Sequence, residues 1–137
     1  MYKVRALSYA LGLSFLSAVA DRFGFWGAAG ETGVAWGNYD AFLIYTKHLN
    51  SWAPEFLVST LGSIVTILEI ILAMCLIVGF KRRYAAFASY GLLSIFSLSM
   101  IIADGLKGPF DYGVLSAAMG SLLLAEFIKV TSNDKSV

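Results

Sequence analysis

Cysteine and histidine are nearly missing from this chain: its 137 residues include one of each, Cys75 and His48. A single cysteine excludes an internal disulfide, a Cys-x-x-Cys redox pair and any cysteine-bound cluster or zinc site. A single histidine excludes a pair of intramembrane axial histidines for a haem. Charge is scarce too, at 14% of residues with a net charge of +1, whereas a water-soluble domain has about a quarter of its residues charged. That balance argues against nucleic acid as a partner, because phosphate recognition needs a surplus of Lys and Arg on one face.

What remains is apolar. A hydrophobic fraction of 58% exceeds the roughly one half typical of soluble domains, and the length leaves room for one domain, 1–137. Four segments are long and apolar enough to cross about 30 Å of hydrocarbon, which takes roughly 20 helical residues. They run over about 4–25, 54–80, 84–103 and 111–130. None keeps a polar stripe wide enough to face water, which excludes a soluble bundle. In lipid each backbone must satisfy its own hydrogen bonds, and a helix does so internally. The predicted fold is therefore all-α, a transmembrane four-helix bundle.

Boundary residues agree. Pro54 suits a first helical turn, where its missing N–H has no partner to lose. Gly79 and then Lys81-Arg82-Arg83 close the second span, and Asp104-Gly105 the third. Gly108-Pro109 is expected to break the chain before Asp111 caps the fourth span. The tail 131–137 is polar and expected to fray.

Seven basic residues fall on one side (Lys3, Arg5, Lys81, Arg82, Arg83, Lys129, Lys135) and three on the other (Arg22, Lys47, Lys107). Positive-inside bias puts the first group, and both termini, in the cytoplasm. Asp21, Glu31, Asp40, Glu55, Asp104 and Asp111 make the opposite face acidic. An alternative at the N-terminus is a cleaved leader, since Ala18-Val19-Ala20 resembles a signal-peptidase site after an apolar core. Apolar character resumes at Phe23-Gly24-Phe25-Trp26, which favours an uncleaved helix. Cleavage would leave three spans and the same orientation.

The outer segment 26–53 begins as a flexible loop through Gly27, Gly30 and Gly33. It continues as a short helix over Tyr39–Leu49 with Asn38 as cap. Such a helix is expected to lie along the outer interface as a lid, with Trp26, Trp36 and Trp52 forming an aromatic belt.

Glu69 is the most informative residue. It lies ten residues before Gly79, about 15 Å by helical rise, near the bilayer centre. A charged carboxylate there costs about 3 kcal/mol, so it is expected to be protonated or hydrogen-bonded within the bundle. Gly62, Thr66, Glu69 and Ala73 share one helix face, small and polar, of the kind that packs against other helices. Ser14 and Ser17 in the first span, Ser94 and Ser97 in the third, and Ser116, Gly120 and Ser121 in the fourth are the expected partners in a polar layer. For any one serine, bonding to its own helix backbone is the simpler account. Two roles for Glu69 stand open, structural glue and a proton- or ligand-binding site.

A second cluster is expected at the outer mouth: Asp21, Arg22, Asp104, Lys107 and Asp111. An ion-pair network between helix ends is the simpler reading, and a substrate site the alternative. A metal site on His48 with Asp40 or Glu55 is improbable, so no metal is expected. Cys75 reads as a packing residue, lacking a nearby basic group to activate it.

Several stretches together resemble the small bacterial branch of the DoxX family. They are Ser14-Phe15-Leu16-Ser17-Ala18-Val19-Ala20-Asp21-Arg22-Phe23-Gly24, Ala35-Trp36-Gly37-Asn38, Leu49-Asn50-Ser51-Trp52-Ala53-Pro54, Glu69, and Lys107-Gly108-Pro109-Phe110-Asp111-Tyr112. The resemblance covers about Arg5 to Leu124 and rests on the order and spacing of short motifs. It implies a four-helix membrane protein of the bacterial cytoplasmic membrane. The implied role is a non-catalytic subunit or accessory protein of a quinone-linked redox complex. The partners to expect are then the lipid bilayer, membrane oxidoreductase subunits and further copies of the chain. Quinone is the cofactor the resemblance points to, with none bound by the chain alone. Alternatives are a bundle that binds or transports a proton, lipid or small molecule through Glu69, and a structural or assembly factor.

Overall fold

A computed structural model describes residues 2–133. Among these residues the chain forms six helices and no strand. They are α1 (Tyr2–Arg22), α2 (Tyr39–Leu49), α3 (Glu55–Val78), α4 (Arg82–Asp104), α5 (Lys107–Asp111) and α6 (Val114–Asn133). Three of them, α3, α4 and the Val114–Thr131 stretch of α6, are long and apolar enough to cross a membrane. The fourth expected span, α1, has 21 residues, but Lys3, Arg5, Asp21 and Arg22 dilute its hydropathy and it is not among the three. The polar tail expected from Thr131 starts within α6; its residues 134–137, Lys135 included, lie outside the described residues.

α2 begins and ends as the sequence predicts. The Asn38 side chain accepts a hydrogen bond from Ala41 N at 2.8 Å, capping one of the orphan N–H groups of the first turn. The stretch after α4 differs from expectation. Gly108-Pro109 does not break the chain: Pro109 sits buried in the first turn of α5, where the ring costs no hydrogen bond. Asp111 therefore ends α5 instead of capping the fourth span. The turn between α5 and α6 falls at Tyr112-Gly113, and the Gly113 φ of +66° favours a residue without a Cβ.

The chain divides into two compact units. One contains α1 up to Leu13 and everything from Leu72 onward. Here α4 packs along α6, with α5 against both. Many inward positions are small: Ser8, Ala73, Ala85, Ala86, Ser89, Ser97, Ala118, Ser121 and Ala125 are buried, beside the larger Leu11, Leu72, Leu76, Met100 and Leu124. The outward positions are large and apolar, among them Phe87, Ile95, Leu98, Ile102, Leu123 and Phe127. This inversion of the soluble pattern suits helices in lipid, where close backbone approach replaces hydrophobic burial as the source of attraction. Gly12 shows how close: a Cβ there would stand 2.7 Å from Ile77 Cγ1 and 3.1 Å from the Ala73 carbonyl oxygen.

The other unit, Ser14–Ile71, holds the end of α1, the loop that follows it, α2 and most of α3. α2 packs against α3 at Gly62, where a Cβ would meet Leu43 Cδ2 at 2.6 Å and Phe42 Cε1 at 3.3 Å. Further along, the Lys47 ammonium donates to the carbonyls of Ser51 and Ala53, tying the end of α2 to the turn that enters α3.

Candidate functional site

The site begins with α1. Its buried residues Leu11, Phe15, Val19 and Arg22 recur at steps of four, four and three, so Arg22 continues the packed face of the helix. Only 2% of Arg22 is exposed. On α3, Gly62, Thr66, Glu69 and Ala73 are all buried, while Ser63, Ile64, Ile67, Leu68 and Ile70 between them are exposed. The small, polar face expected of α3 is its inward face.

These two faces meet at a charge pair. Arg22 Nη1 lies 2.5 Å from Glu69 Oε2, with the side chains 2% and 3% exposed. Nη1 also donates to Thr66 Oγ1 at 2.8 Å, and that hydroxyl donates in turn to Gly62 O at 2.8 Å. Glu69 Oε2 meets the guanidinium as an ion pair without an aligned hydrogen bond, and Arg22 Nε has no hydrogen-bond partner among the described residues. The rings of Phe42 and Trp36 cover the cation, 3.9 Å and 5.3 Å from Cζ to the ring centroids. Both rings present their negative faces to it, an attraction that strengthens away from water.

Asp21, next to Arg22, turns the other way. Its carboxylate accepts the backbone N–H groups of Ala35, Trp36 and Gly37, each at 2.9 Å. This clamp fixes the stretch of loop that carries Trp36, so adjacent residues of α1 supply the cation and the anchor for its cover. Gly37 needs its freedom: its φ is +71°, and a Cβ there would run into the backbone of Ala28 and Ala29.

Beside Thr66 lies an open cleft of about 260 Å³, lined by Phe23, Tyr39, Ser63, Thr66 and Ile67. The Phe23 and Tyr39 rings stack at 5.7 Å, and Tyr39 Oη lies 3.3 Å from Ser63 Oγ.

The structure brings together Glu69, Thr66 and Arg22, which the sequence placed in two separate clusters. Ser14 is exposed on α1. Ser17 is half-buried, and its carbonyl accepts from Trp26 Nε1 at 3.1 Å. Ser94 and Ser97 lie on α4 in the other unit, half-buried and buried. Ser116 is exposed, and Ser121 donates to Ala117 O of its own helix. Of the expected outer-mouth cluster, Arg22 turns inward to Glu69 and Asp21 holds the loop. Lys107 and Asp111 form an exposed ion pair within α5; its hydrogen bond to Asp111 holds the Lys107 ammonium above the usual lysine range. Asp104 is exposed at the end of α4. His48, Asp40 and Cys75 join no cluster of three or more His, Cys, Asp or Glu suited to a metal among the described residues.

Sequence reasoning missed the part played by Trp36 and Phe42, because Trp36 reads as an interfacial residue and Phe42 as a helix residue whose side, lipid or bundle, the pattern leaves open. The run of Gly33, Gly37 and Asn38 around Trp36 was the available signal of a loop built to hold one side chain. Comparison with family models, curated proteins and solved structures returned no match.

Proposed function

We propose that this chain is a four-helix protein of the bacterial cytoplasmic membrane, with both termini inside, that serves a quinone-linked redox complex as a non-catalytic subunit. α1 is the fourth span, and α2 with its preceding loop forms an outer, interfacial cap. The apolar outward faces of α3, α4 and α6 support the membrane reading. The resemblance to DoxX proteins supports the redox association. The observation that carries the non-catalytic role is the Arg22–Glu69–Thr66 cluster: the Arg22 guanidinium pairs with Glu69 and donates to Thr66 beneath two aromatic rings, shut off from solvent. An arrangement of that kind fixes helices and a loop in register, which is what a membrane subunit needs.

Extraction of the native complex in polymer-bounded lipid discs tests this. The expected result is co-isolation, in fixed proportion, with a flavin- or haem-bearing quinone oxidoreductase. Recovery of the chain by itself, with the oxidoreductases of the same membrane in other fractions, would overturn it. A second reading, binding of a small molecule from the bilayer, is favoured by the cleft beside Thr66.

A further inference from the structure

We propose that the turn between α3 and α4, with Lys81 and Arg83 as its free cations, binds the headgroup of an anionic phospholipid. The inference rests on α3 and α4 crossing the membrane, and not on the redox role. Only Gly79, Phe80 and Lys81 separate the two helices, so the turn lies where two spans leave the hydrocarbon together. α4 returns along α6 by way of α5, which brings the end of α6, with Lys129, to the same end of this unit.

Lys81, Arg82 and Arg83 have different tasks. Arg82 is held by the turn itself: Nε donates to Leu76 O at 3.4 Å, and the guanidinium folds over Gly79. A cation there offsets the negative end of α3. Lys81 and Arg83 are carried by rings instead. The Lys81 ammonium lies 5.7 Å from the Phe80 ring centroid and the Arg83 guanidinium 5.9 Å from that of Tyr84, and both rings are exposed. Aromatic rings at the end of a span settle at headgroup level, and each cation is placed there with its ring. Neither cation has an ion-pair partner among the described residues. No acid occurs between Glu69 and Asp104, and Glu126 of α6 is already paired with Lys129 at 3.7 Å. The residues around the turn are exposed and apolar, Val78, Phe80, Tyr84 and Phe87 among them. Lipid therefore surrounds the turn, and its headgroups are the anions within reach. Two cations without a counter-charge at that level select a headgroup of net negative charge over a zwitterionic one.

The test is native mass spectrometry of the full chain released from lipid discs made of equal phosphatidylglycerol and phosphatidylcholine. Wild type is expected to retain phosphatidylglycerol at least about tenfold over phosphatidylcholine. Lys81→Gln with Arg83→Gln should bring the ratio close to one, at about fivefold per charge lost, with the melting temperature in phosphatidylcholine discs unchanged. Arg82→Gln should lower the melting temperature in both lipids alike and keep most of the preference. Lys107→Gln, which removes a cation already paired with Asp111, should leave the ratio at the wild-type value. Equal retention of the two lipids by wild-type protein in discs would overturn the proposal and leave the membrane reading intact. A preference that survives the double variant and falls only with Lys3→Gln and Arg5→Gln would also overturn it. So would loss of the retained lipid to millimolar glycerol phosphate but not to chloride of equal ionic strength, which would assign the turn to a soluble phosphate ester. A chain that stays out of the discs would remove the membrane reading itself, and the proposal with it.

Discussion

Arg22, the last residue of α1, and Glu69, in the middle of α3, form a buried ion pair with Nη1 2.5 Å from Oε2. The pair joins the end of one helix to the centre of another and brings a charge from the end of α1 to Glu69. It also separates two terms that a single substitution confounds: desolvation of each charge and their mutual attraction.

Glu69→Gln should leave the Arg22 cation without its counter-charge and destabilise the protein by about 3 kcal/mol, with a similar loss for Arg22→Met. The double variant Arg22→Met/Glu69→Met should be far less damaged than the sum of the single changes, because no buried charge is left unpaired. Denaturant unfolding in mixed micelles gives the cycle. Additive losses would mean that the two side chains do not stabilise each other.

Asp21 acts on the loop, not on the pair. Asp21→Ala should release the Ala35, Trp36 and Gly37 amides, raising their hydrogen exchange at least about tenfold. Asp21→Asn keeps one acceptor oxygen and should give an intermediate rate. Exchange at these three amides equal to wild type would show that the loop is held by its ring contacts instead.

The two close-approach glycines should differ. An added methyl at Gly12 meets Ile77 near its branch point and the Ala73 backbone oxygen, neither free to swing away. At Gly62 the nearest atom is the end of the Leu43 side chain, which can turn aside. Gly12→Ala should therefore cost about 1–3 kcal/mol, and Gly62→Ala less. Thermal denaturation of the two variants in one detergent compares them directly.

The sequence made the α3 face legible, because Gly62, Thr66, Glu69 and Ala73 recur at steps of four, three and four through the apolar middle of the helix. It made α2 legible through Asn38 and the turn residues around it. The partner of Glu69 was not legible. Counting residues inward from Gly79 gave Glu69 its depth, and an assumed common level for helix ends gave Arg22 another. A long arginine side chain on the packed face of α1 joins the two levels, and no spacing rule within one helix reports how two helices are offset. Trp36 was hidden for a related reason: its place depends on backbone amides reaching Asp21, a contact between a loop and a helix end.

Orientation is the last expectation to be tested, and the structure improves the choice of probe. Lys47 donates to two backbone carbonyls, so replacing it would disturb the turn into α3. Asp40 is exposed in the first turn of α2 and makes the better outer reporter. Lys3 is exposed near the start of α1, and Arg83 lies in the first turn of α4; these two report the inner side. In a Cys75→Ser background, Asp40→Cys should react with an impermeant maleimide in intact cells, while Lys3→Cys and Arg83→Cys should react only after permeabilisation. The physical basis is the seven-to-three division of basic residues, with Lys81, Arg82 and Arg83 gathered at the start of α4, where charge near a span's end weighs on topology. Labelling at 83 in intact cells with 40 protected would invert the protein and place the Asp21 clamp on the cytoplasmic side. Labelling at both 3 and 40 in intact cells, with 83 protected, would instead mean that α1 does not cross the membrane, leaving only three spans.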